Sequence, residues 1–303
     1  MQPDILCLGE PLLEFNQQPD GRYLPGHGGD TSNCAIAAAR SGAKVGFLTS
    51  LGDDLFGRSF CDLWAREGVD TAHVKLRPGA HTGIYFVSHG PGGHSFSYLR
   101  AGSASSLIRP EDIPEAYVAG AKILHVSGIS QAISDSAADA VFRAIEIARA
   151  KGTLVSYDSN LRLQLWPLER AKAVTHAGMA LCDIALPGLD DAKQLTGRED
   201  PDGIADFYLE LGASIVALTL GEAGTLVATV ETRRRVPAHP VTPVDATAAG
   251  DTFDGAFLAE YLHSGDPFAA AAYANAAAAL STQGYGAVAP MPRRDDVLAL
   301  LKG

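Results

Sequence analysis

Long apolar runs are missing from this sequence. No stretch approaches 18 consecutive apolar residues, and the most apolar segment, Phe268 to Leu280, is alanine-rich and interrupted by Asn275. Nothing in it therefore reads as a membrane-spanning helix. Cysteine is scarce: Cys7, Cys34, Cys61 and Cys182 are the four, without CxxC spacing. That argues against a disulfide framework or a zinc site, and for plain core thiols. Positive charge is also short, with 24 Lys plus Arg against 35 Asp plus Glu and a formal net charge of -11. A field of that sign repels polyanions, so a general nucleic-acid or anionic-membrane surface is excluded. A small acidic ligand is left only local Arg, Lys or backbone N–H groups. The N-terminus, Met-Gln-Pro-Asp before Ile5, lacks the basic region of a secretory signal, and the chain is expected to be cytoplasmic. Several fingerprints are absent too. Gly21 to Gly26 has Walker-like spacing but is followed by His27 where Lys is required, and no GxGxxG opens a helix after the first strand. Neither GxSxG nor HExxH occurs.

What is present is enough for a large core: 303 residues, 47% of them apolar. Short apolar runs at Ile5–Leu8, Lys44–Thr49, Lys122–Val126, Thr153–Tyr157, Asp183–Leu186 and Ser214–Thr219 read as strands. Helix-like segments separate them at Thr31–Ser41, Leu55–Glu67, Ser134–Ala150, Leu168–Ala177 and Asp202–Leu211. Three alanine-rich helices close the chain near Asp251–His263, Pro267–Thr282 and Arg294–Leu301. Strands alternating with helices predict βαβ crossovers, hence an α/β fold with a mostly parallel sheet covered on both faces. Two segments break the rhythm, near 14–27 and 71–99, the second turning around Gly90-Pro91-Gly92-Gly93. They predict antiparallel hairpins outside the parallel sheet, either a lid over a cleft or surface decoration, within a single domain spanning 1–303.

Three loops have the composition of ligand sites. In Asp245-Ala-Thr-Ala-Ala-Gly250-Asp251, small residues lead straight into a helix. Backbone N–H groups there can approach an anion such as phosphate at the positive end of the helix. Asp251 in the first turn is placed to cap the helix or to act as a base; four small residues in a row exceed what a cap requires. Gly26-His-Gly-Gly-Asp-Thr-Ser-Asn33 opens a second helix, with side chains suited to sugar hydroxyls or to an ordinary capped turn. Thr219-Leu-Gly221-Glu-Ala-Gly224 follows a strand, as either a hairpin turn or a nucleotide rest.

These residues carry a resemblance. Gly28-Gly29-Asp30-Thr31-Ser32-Asn33 with its helix, then Gly52-Asp53-Asp54-Leu55-Phe56-Gly57, resembles the first signature of ribokinase-like (pfkB-type) sugar kinases. Asp245 to Gly255 resembles the second, about 210 residues later in the expected order, so the resemblance covers essentially the whole chain. Tyr98-Leu-Arg100-Ala-Gly-Ser-Ala104, Gly9-Glu-Pro-Leu12, Thr82–Tyr85, Ser127–Ile129 and Asp158-Ser-Asn160-Leu-Arg162 are similar to the 2-keto-3-deoxygluconate kinases within that family, and fructokinases share several of these pieces.

The resemblance implies a ribokinase-like three-layer α/β/α fold with a small β lid, and an ATP-dependent kinase for a sugar acid. It implies Mg2+ and a monovalent cation such as K+ as cofactors, and a homo-oligomer. Asp251 would be the general base, with Ala248, Ala249 and Gly250 as the anion hole. Gly28, Gly29, Asp30, Thr31, Ser32, Asn33, Tyr85, Tyr98, Arg100 and Arg162 would surround the sugar. Asn160, Arg162, Thr219, Gly221, Gly224, Gly250 and Asn275 would border ATP. The family's N-x-x-E run, which organises magnesium, reads here Gly188-Leu-Asp-Asp191 without its Asn, and no residue is assigned to metal. Fructose, ribose and a catalytically silent sugar sensor are the alternatives.

Overall fold

Alternation within each apolar run sends neighbouring side chains to opposite faces, so a strand apolar throughout must be covered twice. The computed structural model, describing residues 2–18, 20–90 and 93–303, shows that arrangement. Its central sheet holds β1 (Ile5–Leu8), β4 (Val45–Leu48), β9 (Ile123–Ser127), β10 (Leu154–Asp158), β11 (Ile184–Ala185), β12 (Ile215–Thr219), β13 (Thr225–Thr229) and β14 (Arg233–Val236). The spatial order is β14-β13-β12-β11-β10-β9-β1-β4. The six strands from β4 to β12 run parallel, and β13 and β14 add an antiparallel edge.

Two cores flank this sheet. Ile5 and Cys7 join one with α1 (Asp30–Arg40), α2 (Leu55–Glu67), α9 (Ala249–Ser264), α10 (Pro267–Ser281) and α11 (Arg294–Lys302). Leu6 and Leu8 join the other with α3 (Glu115–Ala119), α5 (Asp135–Lys151), α6 (Leu168–Met179), α7 (Leu189–Thr196) and α8 (Pro201–Leu211). A short helix, α4 (Gly128–Ala132), follows β9. Local chemistry sets the helix ends. Asp54 accepts from the Gly57 N–H at 2.7 Å to start α2, which stops at Gly68 with φ 74°. Sequence periodicity marks no helix over 189–196, where α7 forms on two of its own buried residues, Ala192 and Leu195.

The hairpins form a second sheet of four strands: β2 (Leu12–Gln17), β3 (Tyr23–Gly28), β7 (Gly83–Gly90) and β8 (Gly93–Leu99), ordered β3-β2-β7-β8. Both hairpins are antiparallel, and a parallel β2–β7 pairing joins them. Part of the expected second insertion lies elsewhere. Lys75–Arg77 (β6) pairs with Ser50–Gly52 (β5), so the sheet starts at Gly83 and not at Thr71. Met1, Pro19, Pro91 and Gly92 lie outside the described residues, and with them the centre of the expected Gly90–Gly93 turn. Among the described residues no helix is long and apolar enough to cross a membrane.

Candidate active site

Two helix N-termini meet above the carboxyl ends of the parallel strands, where open α/β sheets hold ligands. Glycine brings them together. A Cβ at Gly255 of α9 would stand 2.2 Å from the Cys34 carbonyl oxygen of α1, so the two backbones touch there. One turn earlier, Asn33 Nδ2 donates to Asp251 Oδ2 at 2.8 Å. Before α9, the chain turns through Ala248 at φ 60°, a left-handed conformation uncommon for a residue with a Cβ. After that turn Ala249 N–H bonds back to Ala246, while the N–H groups of Gly250 and Asp251 precede the first intrahelical bond, from Thr252 to Ala248.

The loop separates two cavities. The larger, about 590 Å3, is lined by Thr219, Gly221, Gly224, Ala249, Gly250 and Asn275 among others. The smaller, about 250 Å3, is lined by Ala248, Ala249, Gly250, Asp251, Asn160, Arg162 and Thr219, together with Asp158, Asp191 and Asp254. Gly250 borders both, and a Cβ added to it would meet nothing within 4 Å. Gly224 is confined instead: at φ 89°, its Cβ would lie 2.1 Å from the Val236 carbonyl, which only glycine tolerates. The run 219–224 is thus both a hairpin turn and a cleft wall.

Toward the four-stranded sheet, the first turn of α1 is buried, and three of its side-chain oxygens lack a hydrogen-bond partner. Gly29, at φ 100° and pressed against the Glu10 carbonyl, lets the chain enter α1. Among the described residues, Asp30 Oδ1, Thr31 Oγ1, Asn33 Oδ1 and Arg100 Nε are buried without a hydrogen-bond partner. Ser32 is engaged away from these groups. Its hydroxyl takes the Trp64 indole N–H at 3.1 Å inside the core, so it faces away from the cleft. Arg100 forms a buried ion pair with Glu10, and its guanidinium lies 5.3 Å from the Tyr98 ring centroid. Tyr85 donates to buried Glu14 and stacks on Tyr98 at 6.0 Å; Gly28 leaves room for the Tyr85 hydroxyl. Arg162 is half-exposed, 4.0 Å from Asp191. Asn160, at φ 27°, closes a turn by giving its N–H to Asp158 at 3.0 Å. Asn275 lines the larger cavity with its amide turned to the protein, donating to Val236 and Pro237 carbonyls and accepting from Thr225.

Charge crowds this floor. Burial, then the neighbouring Asp30 carboxylate, pushes Asp251 up to about 7, against the pull of Asn33 and Arg162. Burial, then repulsion from Asp251, holds Asp158 well above the usual carboxylate range; burial, then repulsion from Asp158, does the same to Asp254, which is in side-chain contact with it. Burial raises Asp30 despite the Ser127 hydroxyl and the nearby Arg100 and Arg162. The sequence motifs contain Asp254, Asp158 and Glu10, but the sequence reading gave no role to them or to Glu14. Asp254 was discoverable as the carboxylate three residues after Asp251, hence on its face of the helix. Among the described residues no three Asp, Glu, His or Cys side chains close on one point as a metal cage. One or two carboxylates beside a phosphate cavity suit Mg2+, which keeps waters and shares substrate phosphates.

The pfkB family carbohydrate kinase pattern matches residues 6–294. The chain is 35% identical over 307 residues to the 2-dehydro-3-deoxygluconokinase of Thermoproteus tenax, across 97% of this chain and 93% of that one. Fructokinase with bound ATP from Xylella fastidiosa matches the structure with a TM-score of 0.91 at 30% identity, over 98% of both chains. Fructokinase from Vibrio cholerae O395, bound to fructose, ADP and calcium ion, matches with a TM-score of 0.89 at 28% identity, again over 98% of both. The three-layer α/β/α sheet with its small second sheet is the ribokinase-like fold expected from the two signatures. The chain belongs to the pfkB family of carbohydrate kinases and is an ATP-dependent enzyme of that family.

Proposed function

We propose that the enzyme transfers the γ-phosphoryl group of ATP to the primary hydroxyl of 2-keto-3-deoxygluconate, giving 2-keto-3-deoxy-6-phosphogluconate. The observation that carries this reading is the cluster of unpartnered buried groups on the first turn of α1 and at Arg100. Buried donors and acceptors without partners cost free energy unless a ligand supplies them, and a polyhydroxylated sugar acid brings both kinds. Arg100 and Arg162 both lie within electrostatic reach of Asp30, giving an acidic protein local positive charge for a carboxylate. The similarity to the Thermoproteus tenax enzyme supports the same substrate.

Asp251 takes the hydroxyl proton as general base, and its raised affinity for protons suits that task near neutral pH. The N–H groups at the start of α9 stabilise the phosphoryl oxygens, Gly250 leaving space for them. Asp158, Asp191 and Asp254 face the cavity where a hydrated Mg2+ would enter with the triphosphate, its charge offsetting that of the phosphates. The four-stranded sheet acts as the lid, presenting Tyr85 and Tyr98 to the sugar.

A fructokinase is the second reading, favoured by one contact: Glu10 already balances the Arg100 charge, as a neutral sugar would require. Steady-state kinetics on 2-keto-3-deoxygluconate, fructose and ribose separates the two. The expected result is a kcat/KM for the sugar acid at least about a hundredfold above the ketose, the scale of one buried charge contact. A preference for fructose or ribose would overturn the substrate. Absence of ADP release with every sugar would favour a silent sensor.

A further inference from the structure

We infer that the enzyme is permissive toward the base of its phosphoryl donor, taking GTP and ITP nearly as well as ATP and pyrimidine nucleotides with moderate loss. The inference rests on the kinase reading and concerns the larger cavity, where the base of the donor would sit beyond Gly250. That cavity is walled by Ala238, Pro240, Val241, Pro243, Ala278 and Ala279. These side chains have no polar atoms, and the two prolines have no N–H to offer.

Two of the polar side chains beside them, Asn275 and Thr282, are already committed. Asn275 is the side-chain amide in this wall, and both its N–H bonds go to carbonyls, of Val236 and Pro237, each at 3.1 Å. Its oxygen accepts from Thr225 at 2.8 Å. Thr282 donates its hydroxyl to the Ala279 carbonyl at 2.8 Å. Thr219 also borders the smaller cavity, on the phosphate side, and Glu222 is exposed at the rim. The half-buried His239 ring offers one donor and one acceptor when neutral, a pair that any base can answer. An apolar pocket discriminates between similar ligands by roughly 10–200-fold, whereas one built to hydrogen-bond a particular group reaches 10⁴–10⁵.

The test is initial-rate kinetics of the full chain with saturating sugar and Mg2+, varying ATP, GTP, ITP, UTP and CTP. Expected are kcat/KM values for GTP and ITP within about tenfold of ATP, and for UTP and CTP within about a hundredfold, since a single ring covers less apolar surface. Asn275→Ala, which removes a brace of the wall, should lower kcat/KM by the same factor for every nucleotide, and His239→Ala by the same factor for ATP, GTP and ITP. A wild-type preference for ATP over GTP above about a thousandfold would overturn the inference, whatever the variants do. So would a variant that weakens ATP selectively. Activity with ATP is the internal control: if ATP fails with every sugar, the kinase reading fails and not the base tolerance.

Discussion

At the scale of single residues, Asp251 is where stability and chemistry pull against each other. With Asp251 held near 7 in the fold, the native state keeps a proton between pH 4 and 7 that the unfolded chain has already lost. Stability from this residue is therefore greatest below about pH 4 and falls as pH rises to 7, by at most about 4 kcal/mol. Asp251→Asn removes that loss and preserves an acceptor for Asn33, so the variant should melt higher than wild type at pH 8. Its kcat should drop roughly 10²–10⁴-fold, the contribution of a positioned base. Wild-type kcat/KM for the sugar should rise with pH through about 7; a flat profile, or an active Asn variant, would remove Asp251 from the mechanism. Gly250→Ala makes a complementary probe. The methyl meets no protein atom, so melting temperature should hold or rise slightly, while KM for ATP increases tenfold or more because the new group intrudes on phosphate. Arg100 needs a paired variant, since Arg100→Ala alone strands buried Glu10 and costs about 3–5 kcal/mol of stability. Glu10→Gln with Arg100→Ala should weaken use of the sugar acid far more than that of fructose; equal losses would make Arg100 structural.

Among the elements, the contact between α1 and α9 decides whether the site exists. Asn33 and Asp251 meet because Gly255 lets the helices touch one turn further on. Gly255→Ala should therefore cost about 1–3 kcal/mol by overpacking and reduce kcat as well, since it pries the two N-termini apart. Loss of stability with full kcat would show that the register tolerates the shift. The four-stranded sheet offers a second test. Its exposed Phe96 and Leu99, 46% and 58% accessible, lie on the strand next to Tyr85. Sugar plus nucleotide should slow hydrogen exchange in Gly83–Leu99 and around Gly26–Gly29, as closure orders weakly held segments. Unchanged exchange under saturation would reduce the sheet to decoration. Hairpin chemistry in these segments was legible in sequence, but the diversion of Lys75–Arg77 to β5 was not. A three-residue strand has too few alternating positions to announce its partner.

Over the whole molecule, a net charge of -11 opposes the approach of ATP and of the proposed sugar acid. Raising ionic strength from about 10 mM to physiological 0.15 M shortens the screening distance from roughly 30 to 8 Å. The kcat/KM for ATP should accordingly hold or rise a few-fold over that range. A steep fall would mean that the local field of Arg100 and Arg162 governs encounter instead.

Sequence alone determined the layered α/β architecture, because apolar runs and helical periods are local properties that any parallel sheet must satisfy. It also marked the two N-terminal loops of α1 and α9, since a backbone that approaches a ligand requires small residues in the chain itself. Tertiary structure decided the rest. Only the folded chain turns Ser32 away to Trp64, binds Arg100 to Glu10 and commits the Asn275 amide to Val236 and Pro237. Each of these depends on a partner 32 to 90 residues distant, and a side chain's free hydrogen-bonding capacity is what remains after such partners are met.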